Sequence, residues 1–125
     1  MTNAMVSERL GPLIRGGLVA TCPTLDAEAL YSARDAADYV AIRENRRTAY
    51  EYLPVDDEHW QLAFDFQQQL AASGRHRAVG IADLLTAVIA HQHQVTVIHY
   101  DADFETAAAV LPFDHAWVVP RGSMA

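Results

Sequence analysis

The sequence predicts an α/β domain built on a parallel sheet, because strand-like and helix-like segments alternate along the chain. Two further observations support it. Val95–Tyr100 is a β-branched run that reads as a central strand, and Ile81–Ala90 just before it is apolar on nearly every side, as a buried helix is.

The elements follow in order. Val6–Ile14 is a short amphipathic helix that stops at Gly16-Gly17. Leu18–Cys22 is apolar and partly β-branched, a strand closed by Pro23, with Thr24 placed to cap the next element. From Leu25 to about Tyr50 the residues Leu30, Ala33, Ala37, Val40 and Ala41 recur at helical spacing and predict one long helix, with Asp26 in its first turn. Pro54–Asp57 is a break and an N-cap signal, after which Trp60, Ala63, Phe64, Leu70 and Ala71 trace the inner stripe of another helix ending at Ser73-Gly74. The strand at Val95–Tyr100 ends abruptly in Asp101-Ala102-Asp103; Phe104–Val110 is a short helix, Ala116–Val119 a last strand, and Arg121–Ala125 a polar tail.

Composition bounds the function. With 125 residues, 51% of them hydrophobic and 20% charged, the chain suffices for one domain with a real core, spanning 1–125. No apolar run is long enough to cross a bilayer, and Met1–Ser7 lacks the pattern of a signal peptide, so no membrane association and a cytoplasmic location are expected. Cys22 stands alone, which excludes an internal disulfide and a thiolate metal cage. A net charge of -7 argues against a broad basic face for nucleic acid. A nuclease whose acids hold divalent cations is the exception, because the metal then supplies the positive charge that meets phosphate.

The acids stand where such chemistry needs them. Asp101 directly follows a strand, and ligand sites in open α/β sheets lie at the carboxyl ends of strands. Asp103 is two residues on, Asp83 opens the buried helix, and Glu28 lies one turn into the long helix. Each also has a local structural role open to it: Asp101 and Asp103 as a turn and a cap, Asp83 as a cap, and Glu28 as a first-turn acid facing the helix dipole. As a set, carboxylates from separate elements are hard oxygen donors of the kind Mg2+ or Mn2+ requires. Among the six histidines, His91 and His93 are two apart and diverge on a helix, against the spacing of a helical zinc pair. No nucleophile-elbow serine and no phosphate-binding glycine loop is visible, which argues against acyl transfer and P-loop chemistry. Arg75-His76-Arg77 is the densest basic spot, suited to an RNA backbone or simply to a solvated loop.

Three stretches carry a resemblance: Thr24-Leu25-Asp26-Ala27-Glu28-Ala29-Leu30-Tyr31-Ser32-Ala33-Arg34, Gly80-Ile81-Ala82-Asp83-Leu84-Leu85 and His99-Tyr100-Asp101-Ala102-Asp103-Phe104. In order and spacing they resemble the downstream acidic motifs of VapC-type toxins of the PIN-domain family. The resemblance implies a three-layer α/β/α fold and metal-dependent hydrolysis of RNA, with Glu28, Asp83 and Asp101 as ligands of Mg2+ or Mn2+ and Asp103 as a ligand or auxiliary acid. It also implies a VapB-like antitoxin as partner and pairing of toxin subunits into a homodimer. The family opens with a strand ending in an aspartate, whereas Met1–Met5 holds no acid and Val6–Ile14 matches the helix that follows that strand. The corresponding expectation is a domain lacking its first strand, with weakened catalysis; the alternative is a catalytically impaired remnant that acts as an interaction module for an antitoxin-like peptide.

Overall fold

Short hydrogen-bonded caps set the ends of the helices. The computed structural model describes residues 4–123, and it opens with α1, Ala4–Arg15. Gly17, at φ +70, closes α1 in a Schellman motif: its N–H donates to the Ile14 carbonyl and the Leu18 N–H to the Leu13 carbonyl. Met1–Asn3, from the acid-free start of the chain, and the last two residues of the expected polar tail lie outside the described residues.

The expected strand at Leu18–Cys22 shortens to β1, Ala20–Thr21. Helix α2, Pro23–Tyr31, begins one residue before the expected cap at Thr24: Cys22 is the N-cap and Pro23 occupies the first turn, where a fixed φ and a missing N–H cost nothing. The single long helix expected from Leu25 to Tyr50 is two helices. Residues 32–35 break it, and α3 runs Ala36–Ala49. Local polar bonds compete with the helix there: Ser32 Oγ donates to the Ala29 carbonyl, and Asp35 accepts from the Asp38 N–H to cap α3. The Arg34 backbone N–H and then its guanidinium hold the Asp38 carboxyl below its ordinary range. Strand β2, Glu51–Tyr52, follows α3 without a turn signal and was not expected; it pairs in parallel with β1, Ala20 opposite Glu51 and Thr21 opposite Tyr52.

Contacts divide the chain into two units, one through Pro54 and one from Val55 onward. The second opens with α4, Asp57–Ala72, capped by a reciprocal box in which Asp56 accepts from the His59 N–H and the His59 ring accepts from the Asp56 N–H. Its buried stripe is His59, Ala63 and Leu70. The expected inner residues Trp60 and Phe64 instead form an exposed pair with ring centroids 6.0 Å apart, since they lie one position round the helix from the stripe.

Helix α5, Ile81–His93, buries every residue from Leu84 to Ala90, as its all-round apolar character predicts. Leu84, Leu85, Ala87 and Val88 pack with Ala63 and Leu70 of α4, and with Val79, Ala107 and Leu111, in one core. The helix ends at Gln94 in the left-handed region, φ 55, a conformation that costs a non-glycine residue about 1 kcal/mol. Strand β3, Val97–His99, α6, Asp103–Ala108, and β4, His115–Trp117, complete the unit as a parallel β-α-β crossover. Among the described residues β3 pairs with β4 alone, so the strand expected to be central is one of a two-stranded sheet.

Candidate metal centre

The β3-α6 turn and the first turn of α5 bring three carboxylates together. Asp83, Asp101 and Asp103 each offer an oxygen, and these oxygens lie within 4.8 Å of one another. Asp83 is the third residue of α5, held by a helix whose next seven residues are buried. Asp101 stands two residues past the end of β3, and Asp103 is the first residue of α6.

The turn is internally braced. The Asp103 N–H donates to Asp101 Oδ1 at 2.9 Å, the Asx bond anticipated for an aspartate before a helix, and it coexists with the cluster because a carboxylate has lone pairs to spare. The Asp101 N–H donates to His99 Nδ1 at 3.1 Å. A ring nitrogen that accepts carries no proton, so the proton of the neutral ring sits on Nε2 and is donated to His115 Nδ1, 2.9 Å away. Burial, then the neighbouring His115, holds His99 below its ordinary value of 6.5, against the opposing pull of Asp101 and Glu105. Phe104 and Trp117 enclose the same ring, each with its centroid 4.9 Å from it. Glu105 ties β4 to α6, accepting from Trp117 Nε1 at 2.8 Å and from Arg121 at 3.1 Å.

The donor set suits a hard cation. All three members are carboxylates, two of them half-buried and one exposed, which leaves a bound ion room for water or phosphate oxygens. The structure thus brings together three of the four acids singled out in the sequence. Glu28 stands exposed on α2 in the first unit, outside this group.

The place of His99 beside the site was missed in the sequence, where the histidines were weighed only as zinc ligands. Its signal was available: two residues before Asp101 on a strand, it shares that residue's side of the backbone. The Asp26–Arg46–Thr21 network of the first unit had no such signal, because twenty residues and an unforeseen helix break separate its partners.

The PIN domain model matches residues 6–110. Ribonuclease VapC21 from Mycobacterium tuberculosis is 41% identical over 118 residues, 94% of this chain and 86% of that protein. The chain belongs to the PIN-domain family, among its VapC proteins. Ribonuclease VapC51 from the same organism is 32% identical over 124 residues, covering 99% of this chain and 89% of its own. A crystal structure of VapBC-5, a member of the VapBC family of toxin-antitoxin systems from Mycobacterium tuberculosis, superposes with a TM-score of 0.60 at 27% identity, over 79% of this PIN chain and 81% of that one.

Proposed function

We propose that the chain is a ribonuclease toxin that hydrolyses RNA phosphodiester bonds at a Mg2+ or Mn2+ site formed by Asp83, Asp101 and Asp103, with Glu28 as the fourth carboxylate. The observation that carries it is the convergence of three aspartates from two stretches of the second unit, the first turn of α5 and the β3-α6 turn, to within 4.8 Å. Clustered carboxylates repel one another, and a divalent cation relieves that repulsion. Bound there, the ion supplies Lewis-acid stabilisation of charge developing on phosphate. The chain's own part is to hold the donors still: α5 fixes Asp83, the His99 bond fixes the backbone of Asp101, and the Asx bond fixes Asp103 against Asp101. Glu28 enters on its motif, which matches that of the family's glutamate.

The family model runs across the boundary at Pro54, which supports both units as parts of one PIN domain. The VapBC-5 likeness supports a VapB-like antitoxin as partner, and pairing of two copies belongs to the same proposal. No helix among the described residues is long and apolar enough to cross a membrane; a cytoplasmic site of action is proposed on the toxin's RNA substrate. The exposure of Arg75 and Arg77 just before α5 supports a contact of one or both with the RNA backbone.

The test is cleavage of a labelled single-stranded RNA by the pure chain. Activity that requires Mg2+ or Mn2+, stops with chelator and is lost in Asp101→Asn supports the proposal. Activity retained in Asp101→Asn, purified in parallel with a mock preparation, overturns it. A chain that binds an antitoxin peptide and cleaves nothing under any metal is the interaction module instead.

A further inference from the structure

The nine arginines are unevenly distributed: six stand against seven acids in the first 54 residues, and three against nine acids in the remainder. Three of those six gather at one place. A pocket of about 720 Å³ in the first unit is lined by Arg43, Arg46 and Arg47 and by four of the chain's five tyrosines, Tyr31, Tyr39, Tyr50 and Tyr52. That volume lies within the roughly 300–1,000 Å³ typical of small-molecule sites, the size range of a nucleotide.

The composition of the pocket follows from its elements. Tyr39, Arg43 and the pair Arg46 and Arg47 follow one another on α3 at steps of three or four, so they fall on one side of the helix, and Tyr50 caps its C-terminal end. Tyr31, the last residue of α2, also lines the pocket, and Thr21 and Tyr52 lie at the carboxyl ends of β1 and β2, where parallel sheets present ligand sites. Asp26, the carboxylate of the lining, is already engaged: Thr21 Oγ1 and Arg46 Nε both donate to Oδ1 at 2.8 Å. Arg46 in turn donates to Thr21 Oγ1 at 2.9 Å and lies 5.0 Å over the Tyr50 ring, so it is fixed as structure. Arg43 is exposed, and among the described residues Arg47 pairs with Glu44 alone, in a 3.8 Å surface contact. Tyr31 is 93% exposed and Tyr39 and Tyr52 are about half so, with rings open to stacking. A cationic, ring-lined pocket in a chain of net charge -7 is matched to a ligand that is anionic and aromatic at once.

We propose that this arginine–tyrosine pocket is a substrate-recognition subsite for a single-stranded segment of the RNA, with phosphates on Arg43 and Arg47 and bases stacked on Tyr31 and its neighbours. Guanidinium groups along a backbone and aromatic rings under bases are the general means by which single strands are held. The subsite rests on RNA as the substrate, yet it needs neither metal nor cleavage to be observed.

Anisotropy of a fluorescein-labelled single-stranded RNA, titrated with the full chain in EDTA over a range of salt concentrations, tests it. Arg43→Gln should weaken binding and lower the slope of log affinity against log salt by about 0.7, one phosphate contact's worth. Tyr31→Leu should weaken binding about fivefold or more with the slope unchanged, and Tyr31→Phe should restore it. Arg15→Gln, an exposed arginine of α1 outside the pocket, should change little. No binding by the parent chain, equal binding by all variants, or a preference for a polyglutamate peptide with the same losses overturns the proposal. If RNA binds through the pocket but Mg2+ or Mn2+ elicits no cleavage, the ribonuclease proposal fails and the subsite stands. If RNA is cleaved while the pocket variants bind it as the parent does, the subsite fails and the ribonuclease stands.

Discussion

The two units of this chain are stabilised by different chemistry. In the second, α5 is buried from Leu84 to Ala90 and shares one apolar core with α4 and α6. In the first, none of the helices α1, α2 and α3 contains a buried residue; among the described residues only Thr21 and Cys22, at the end of β1, are buried, and Asp26, Arg46 and Thr21 tie α2, α3 and β1 together by polar bonds. The comparison teaches where precision comes from. The three aspartates that lie within a few ångströms of one another project from the unit with the packed core, while the first unit presents rings and guanidinium groups to solvent.

Substitutions can break this contrast. Leu84→Ala empties a fully buried position and should cost about 2–5 kcal/mol in urea unfolding, the largest effect expected of any single truncation here. A cost under about 1 kcal/mol, the usual size of a surface effect, would mean that the second unit is not held by its core. Arg46→Ala removes a charged bond whose partners are about a quarter exposed, so a loss of about 1–2 kcal/mol is expected. Hydrogen exchange should locate it: faster exchange across residues 21–52, with α5 amides unchanged. Equal acceleration in α5 would dissolve the distinction between the units.

Acid should act on the second unit through His99. Its folded pKa lies below 6.5, so between that value and 6.5 the unfolded chain binds more protons. The stability that neutral His99 contributes is therefore fully present above pH 6.5 and lost as pH falls through its folded pKa. Protonation also places a proton on Nδ1, where the Asp101 N–H now donates. Urea midpoints at pH 7.5 and 5.5 should differ more for the parent chain than for His99→Phe; equal differences would remove His99 from the account. The smallest effect belongs to Trp60→Gln, which should stay within about 0.5 kcal/mol because the ring is on the surface. A loss above about 1 kcal/mol in thermal unfolding would reveal a buried role for it.

The second unit was largely legible in the sequence, and the first was not, for the same physical reason. An all-round apolar helix such as Ile81–Ala90 and a β-branched run ending in Asp101 announce themselves by burial, which the sequence encodes residue by residue. Asp83, Asp101 and Asp103 could be singled out because each follows or opens such an element. In the first unit the apolar spacing of Leu30, Ala33 and Ala37 continued through a break made by Ser32 and Asp35, whose side chains bond the backbone locally. Glu51–Tyr52 became a strand by pairing with Ala20–Thr21, a long-range choice with no local signal. Trp60 and Phe64 misled for another reason: aromatic side chains suggest the core, while the stripe that turns inward is set by the smaller Ala63 and by Leu70.

The central claim is that the three aspartates of the second unit form one cation site. Calorimetric titration of Mn2+ into the metal-stripped chain measures it directly, with Asp101→Asn and Glu28→Gln alongside. Even outer partners of a metal ligand are worth about 10- to 100-fold in affinity, so losing Asp101 should weaken Mn2+ by about a hundredfold or more. Glu28→Gln should show a smaller loss if Glu28 is the fourth donor. Mn2+ bound by Asp101→Asn as tightly as by the parent chain would contradict the site.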